Sequence, residues 1–164
     1  MLIAVISDSH LPRGARRLPD ACLERIAAAD LLLHAGDFVT IEVLRELEAL
    51  GPPVAAVHGN VDSVELHNLL PAERVVEAEG ALIALVHDAG PRRGRLERMR
   101  RRFGERAEAV VFGHSHLPLH ETGPGGFQIF NPGSPTDRRR ALVHTMGLAR
   151  IAGGRVSFEL VELR

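Results

Sequence analysis

Five short apolar runs, at residues 2–6, 31–33, 54–57, 81–86 and 109–112, are each followed at once by side chains that bind metals. Asp8 and His10 follow the first run, His34 and Asp37 the second, and Asn60 the third. His87 closes the fourth, and His114 and His116 follow the fifth. Apolar runs this short, rich in branched residues, read as strands covered on both faces. Strand ends are where an α/β sheet presents its chemistry. The pattern therefore predicts a sheet fold whose polar loops gather on one edge.

The intervening segments fix the connectivity. Residues 19–29 read as a helix, with Leu18, Cys22 and Ile26 at helical spacing and Pro19 suited to a first turn. Residues 41–50 read as a second helix carrying Val43, Leu44, Leu47 and Leu50, stopped by Gly51. The first 60 residues thus follow β-α-β-α-β, the signature of a parallel sheet. Beyond them, residues 75–78 and 81–87 flank a Glu79-Gly80 turn, and a helix is expected over 92–103. Strand-like runs follow at 109–112, 117–121, 126–130, 141–151 and 155–163, the last two joined by Gly153-Gly154, a strong hairpin signal. The expected architecture is α/β, with two packed, partly mixed β-sheets and helices outside.

Bulk properties narrow the classes. At 164 residues the chain reads as one domain, residues 1–164, able to bury a core. No apolar run is long enough to span a bilayer. The chain enters its first strand without a basic leader or a cleavage pattern, so a cytoplasmic protein is expected. Cys22 is the only cysteine, which excludes an intramolecular disulfide and a thiolate zinc site. A formal net charge of −1 gives no support to nucleic acid as a bulk partner.

Asp8 and His10 stand two apart, as do His114 and His116. In extended backbone such pairs share a face, so each pair is expected to supply two converging ligands. With Asp37, Asn60 and His87 the set reaches seven, more than one ion accepts. If one carboxylate bridges, seven residues make eight bonds, four to each of two ions, and positions stay open for water and substrate. Imidazole and oxygen donors suit Mn, Fe, Ni, Co or Zn. Two such ions leave net positive charge that attracts an anionic phosphoester.

The motifs Asp8-Ser9-His10, Gly36-Asp37, Gly59-Asn60, His87 and Gly113-His114-Ser115-His116 closely resemble those of the calcineurin-like metallophosphoesterases. The short chain and the late Asn131-Pro132-Gly133-Ser134-Pro135 are most similar to the compact bacterial and archaeal phosphodiesterases, whose scaffold the retromer subunit Vps29 shares. The resemblance implies a four-layer αββα sandwich. It implies that Asp8, His10, Asp37 and His116 hold one metal, and that Asp37, Asn60, His87 and His114 hold the other, with Asp37 as the bridge. Asp8, Asp37, Asn60 and His87 are then also the candidate catalytic residues. The implied reaction is in-line attack of a metal-bridging hydroxide on a small phosphoester, with manganese the first choice of ion. A homo-oligomer fits such relatives; a membrane does not. A non-enzymatic scaffold of the Vps29 type is the competing class, and a nuclease of the same superfamily ranks third.

Two positions depart from the family pattern. Many relatives carry a histidine after Gly59-Asn60, where this chain has Val61 followed by Asp62. Relatives commonly have His-Gly where this chain has His87-Asp88, and Asp88 reads as a turn residue ahead of an acceptor for a ligand histidine. His34 and His58 read as supports, and His67, His120 and His144 as structural or surface residues. The arginines between Arg92 and Arg106 read as a solvated helix face. Arg138-Arg139-Arg140, after the Asn131–Pro135 segment that the family places near the site, is the better candidate for steering a phosphate.

Overall fold

A computed structural model describes residues 1–14 and 16–163. In chain order the elements are β1 (Leu2–Ile6), α1 (Asp20–Ala27), β2 (Leu31–His34), α2 (Ile41–Glu48), β3 (Val54–Ala56), α3 (Val64–Leu69), β4 (Glu73–Ala78), β5 (Ala81–Val86), α4 (Arg95–Phe103), β6 (Ala109–Val111), β7 (Leu119–Thr122), β8 (Gln128–Asn131), β9 (His144–Ala152) and β10 (Arg155–Leu163). They form two five-stranded sheets, ordered β10-β9-β1-β2-β3 and β4-β5-β6-β8-β7. Both are mixed. β1, β2 and β3 run parallel, as do β5, β6 and β8, and the outer partners β9, β10, β4 and β7 pair antiparallel.

The alternation within each apolar run explains the layering. Ile3 and Val5 of β1, Leu31 and Leu33 of β2, Ile83 and Leu85 of β5, and Val111 of β6 meet in one core between the sheets. Ala4, Ile6 and Leu32 turn the other way, onto Cys22 and Ile26 of α1 and Leu44 and Leu47 of α2. Ala84, Val86, Val110 and Phe112 turn outward onto Met99 and Phe103 of α4. Three cores separate four layers, the αββα sandwich expected. Because both faces of the central strands are covered, these strands carry no polar alternation.

Element boundaries shift in places. The fourth helix begins at Arg95 rather than 92, after Gly94. The strand expected from 141 begins at His144. Helix α3 was not expected from the sequence; it is six residues long, and Ser63 caps it by accepting the Leu66 N–H. The arginine-rich helix is not merely solvated. Arg95 and Arg98 donate to the carbonyls of Gly90, Ala89 and Pro91, and Arg102 and Arg106 pair with Glu73. No helix among the described residues is long and apolar enough to cross a membrane.

Candidate metal centre

The parallel strands of both sheets end on the same edge, and the seven ligand-type residues lie just beyond those ends. Asp8 and His10 follow β1, Asp37 follows β2, Asn60 follows β3, His87 follows β5, and His114 and His116 follow β6. The loops are tied across the edge. Asp8 N–H donates to the Gly36 carbonyl at 2.9 Å, His10 N–H to the Asp37 carbonyl at 3.0 Å, and Gly113 N–H to the His87 carbonyl at 2.9 Å. The sheets are joined at this point by His114 N–H, which donates to the Asp8 carboxylate at 3.0 Å.

All seven side chains converge, though not for the reason the spacing suggested. Asp8, His10, Asp37, His114 and His116 have φ of 56°, 46°, 62°, 65° and 58°. Their backbone is left-handed, not extended. Each i, i+2 pair aims its two side chains inward because both members sit in tight left-handed turns.

The distances between ligand atoms are those of coordination shells. Atoms about 2.1 Å from one ion stand ~3.0 Å apart on an octahedral edge and ~3.4 Å apart on a tetrahedral edge. His116 Nε2 lies 3.3 Å from Asp8 Oδ1 and 3.1 Å from His10 Nε2. Asp37 Oδ2 lies 3.5 Å from His10 Nε2 and 3.3 Å from His87 Nε2. Asn60 Oδ1 lies 3.1 Å from His87 Nε2 and 2.9 Å from His114 Nδ1. Asp8, His10 and His116 can thus hold one ion, and Asp8, Asp37 and His87 offer a second group of ligand atoms within 4.8 Å of one another.

The hydrogen-bond partners of the rings suit this space to a cation. His87 Nδ1 donates to the Ala35 carbonyl at 2.8 Å, and His116 Nδ1 donates to the Asp137 carbonyl. In the neutral imidazoles the opposite Nε2 atoms therefore present lone pairs, facing carboxylate and amide oxygens that are acceptors too. Burial raises Asp8 and Asp37, yet the neighbouring imidazoles outweigh it and hold both below the usual carboxylate range. Burial lowers His87, but its contact with Asp37 and the nearby negative charge raise it overall. Acceptors ringing a buried space, with two persistent anions, call for positive charge.

Residues 1–154 match the calcineurin-like phosphoesterase superfamily domain. The chain belongs to that family. A probable metallophosphoesterase of Methanothermobacter thermautotrophicus is 35% identical over 166 residues, covering 99% of this chain and 92% of that one. Vps29 of Entamoeba histolytica, solved in complex with zinc, superposes with a TM-score of 0.76 over 100% of both chains at 24% identity. An archaeal phosphodiesterase superposes with a TM-score of 0.70 over 98% of this chain and 100% of that one at 21% identity. The last two establish the shared fold.

Around the ligands, this calcineurin-like phosphoesterase carries supports that its sequence did not announce. Asp62 is buried and accepts three backbone N–H groups, from Gly59 at 2.7 Å, Val39 at 2.8 Å and Asp37 at 3.1 Å. One carboxylate thereby fixes the turns that carry Asp37 and Asn60. The Asn131–Asp137 segment does the same for the other half. Asn131 Nδ2 donates to the Gly113 carbonyl, Ser134 Oγ donates to the Asp8 carbonyl at 2.7 Å, and Thr136 Oγ1 donates to the Ser9 carbonyl. The Asp137 carbonyl holds the His116 ring, while its carboxylate pairs with Arg16 at 3.1 Å. These residues do more than make the turn that Asn-Pro-Gly signals. Glycine is required beneath the ligands: a Cβ at Gly59 would stand 2.0 Å from Asp37 Oδ1, and one at Gly113 would stand 1.9 Å from Ser7 Oγ.

Of the remaining histidines, His34 supports the site. Gly36 N–H donates to His34 Nδ1 at 3.1 Å, so His34 Nε2 carries the proton toward Ser9 Oγ, and the ring stacks on Phe38. Burial pushes its imidazole down to about 3. His58 packs on His67 with ring centroids 4.0 Å apart. Asp88 accepts from Gly90 N–H at 2.7 Å, which makes it a turn residue.

The His34 shift carries a pH dependence. The unfolded imidazole binds a proton near its ordinary 6.5 and the folded one only near 3. Between those values the unfolded state holds more protons, so stability falls as pH drops, by up to ~1.4 kcal/mol per pH unit. Asp8 and Asp37 enter only below their ordinary 3.8, and His87, being raised, acts in the opposite sense at higher pH. Urea titrations between pH 4 and 6.5 will show this slope in the native chain and a shallower one in His34→Gln. Equal slopes would contradict the assignment.

Proposed function

We propose that this chain is a metal-dependent phosphodiesterase working with two divalent ions, manganese first among them, on a small phosphoester. The observation that carries the proposal is Asp37 Oδ2, which faces the coordinating nitrogens of His10 on one side and His87 on the other. Asp8, His10 and His116 would hold the inner ion, and Asn60, His87 and His114 the outer one. When bound, such ions would supply Lewis acidity to phosphoryl oxygens and lower the pKa of water.

The chain itself orients and admits the substrate. Asp8, His10, Asp37, His87 and His116 are buried, whereas Asn60 and His114 are exposed. The outer half is therefore where a phosphoester arrives. Asp37 Oδ1 accepts the Val61 N–H at 3.0 Å, which fixes the carboxylate so that Oδ2 points between the two groups. The Val61 side chain, 42% exposed beside Asn60, offers no proton to a departing oxygen. Leaving groups that depart as stable anions suit such a site.

The deciding experiment is hydrolysis of bis(p-nitrophenyl) phosphate, p-nitrophenyl phosphate and cyclic nucleotides with Mn, Ni, Zn or no metal. Turnover only with metal supports the proposal. Inactivity with every ion, together with no ion bound, returns the reading to a Vps29-type scaffold. Within the same panel, aryl phosphates are expected to turn over at least about a hundredfold faster than alkyl monoesters, in line with the contribution of one general acid. Val61→His is expected to narrow that gap by raising the alkyl rate. Comparable aryl and alkyl rates in the native chain would refute the role given to Val61.

A further inference from the structure

Beside the ligand loop lies a cavity of about 250 Å³ lined by Ser115, Leu117, Arg139 and Arg140. Ser115 stands between His114 and His116 in the chain, so the loop that carries those two histidines also lines the cavity. Its polar side chains are one hydroxyl and two guanidiniums. The orientation of Asn131 is fixed because Oδ1 accepts Gly133 N–H at 2.8 Å, so Nδ2 donates to Ser115 Oγ at 3.2 Å. Leu117 N–H donates to the same oxygen at 3.3 Å. Ser115 Oγ is thus an acceptor twice, and its own proton has no acceptor among the described residues.

The three consecutive arginines divide their work. Arg138 Nη1 donates to the carbonyls of Ala141 and Leu142 at 3.0 and 3.3 Å and shapes the loop. Arg139 and Arg140 are exposed at the cavity, and neither pairs with a carboxylate among the described residues. Two guanidiniums and a hydroxyl proton make a pocket that offers hydrogen and positive charge, with no carboxylate in its lining. Guanidinium forks match the oxygens of a phosphoryl group. In the proposed function the reacting phosphoryl group finds its counter-charge at the two ions, which leaves this pocket for another anion.

We infer that Ser115, Arg139 and Arg140 form a subsite for a second phosphoryl group, carried on the ester arm of the substrate. The substrate class is then a phosphodiester with one further phosphate on that arm, rather than a simple diester. This inference rests on the phosphodiesterase reading. It adds a specificity contact remote from the bond that breaks, which lowers KM without entering the chemical step.

Two matched substrates test it: the p-nitrophenyl ester of thymidine 5′-phosphate, and the same compound carrying a 3′-phosphate. The native chain with manganese is expected to show a KM about tenfold lower for the 3′-phosphorylated compound, the worth of one or two charge-assisted hydrogen bonds. Arg139→Ala/Arg140→Ala is expected to abolish the ratio, and Ser115→Ala to reduce it. Calorimetry supplies a readout without turnover, because thymidine 3′,5′-bisphosphate should bind about tenfold more tightly than thymidine 5′-phosphate and lose that advantage in the double variant. Equal KM values in the native chain, or a ratio that survives the double variant, would overturn the subsite alone. Release of p-nitrophenolate from neither compound with any metal would overturn the phosphodiesterase reading and the subsite together.

Discussion

Asp37→Asn is expected to lower kcat/KM for an aryl phosphodiester by about a thousandfold, since a shared ligand supports several kcal/mol of metal-ion stabilisation and each ~1.4 kcal/mol is a factor of ten. Asp37 Oδ2 lies 3.5 Å from His10 Nε2 and 3.3 Å from His87 Nε2, between the two histidines of the proposed inner and outer positions. The amide keeps the shape and can still accept the Val61 N–H through its oxygen, so the fold should survive. Its other terminus is an NH2 group, which directs hydrogens at the space a cation would fill. Metal content measured after dialysis should therefore fall at both positions. His114→Ala supplies the contrast. His114 is exposed, and its side chain meets Asn60 and the edge of the His87 ring, both in the outer half of the proposed centre, so its loss should empty one position and leave the other filled. Retention of two ions by Asp37→Asn would remove the bridging role.

Asp62→Ala is expected to have the largest effect on stability, about 3 kcal/mol or more. The substitution strands the N–H groups of Asp37, Val39 and Gly59 in a buried region, and each unmet donor costs roughly 1–3 kcal/mol. Asp62→Asn should lie between, because its single amide oxygen cannot serve three donors arranged around two. Metal affinity should drop by ~10- to 100-fold in either variant, as is usual when an outer support of a ligand is lost. Chemical denaturation monitored by circular dichroism, with calorimetric metal titration, measures both. A stability change below ~0.5 kcal/mol, the range of ordinary surface substitutions, would show that water replaces the carboxylate without difficulty.

The central architecture was legible because the strands that carry the site are apolar on both faces. Runs such as Leu2–Ile6 and Ala81–Val86 are short, rich in branched residues and bounded by turn residues, which favours strands over buried helix. Helix α3 was not legible. Of its six residues only Leu66 is buried, while Val64 is 77% exposed and Leu69 58% exposed, so it has no apolar face to read. The cap at Ser63 was its one available signal.

For the candidate site, all seven expected residues come together, yet the spacing argument behind two pairs assumed extended backbone where the chain is left-handed. Sequence spacing reports separation along a path, and the path itself depends on hydrogen bonds made elsewhere. The supports were less visible still. Asp62 and Ser134 act through backbone groups of distant loops, and a backbone N–H carries no residue identity for a pattern to detect. The run Asn131-Pro132-Gly133 announced a turn; that Asn131 and the residues after it reach back to Gly113, Asp8 and Ser9 required the fold.

The left-handed turns have a consequence for what this protein gives up. Side chains at such φ cost about 1 kcal/mol each relative to glycine, less where Asp or His tolerates the conformation. A chain selected for durability alone would place Gly or Asn at positions 10, 114 and 116, as ordinary tight turns do. This chain keeps imidazoles there, with His10 and His116 nitrogens only 3.1 Å apart beside two buried carboxylates. His10→Gly and His114→Gly should therefore yield an inert protein that resists denaturant at least as well as the native one when metal is withheld. Adding metal should reverse the order, because only the native chain can convert its unfavourable turns into binding.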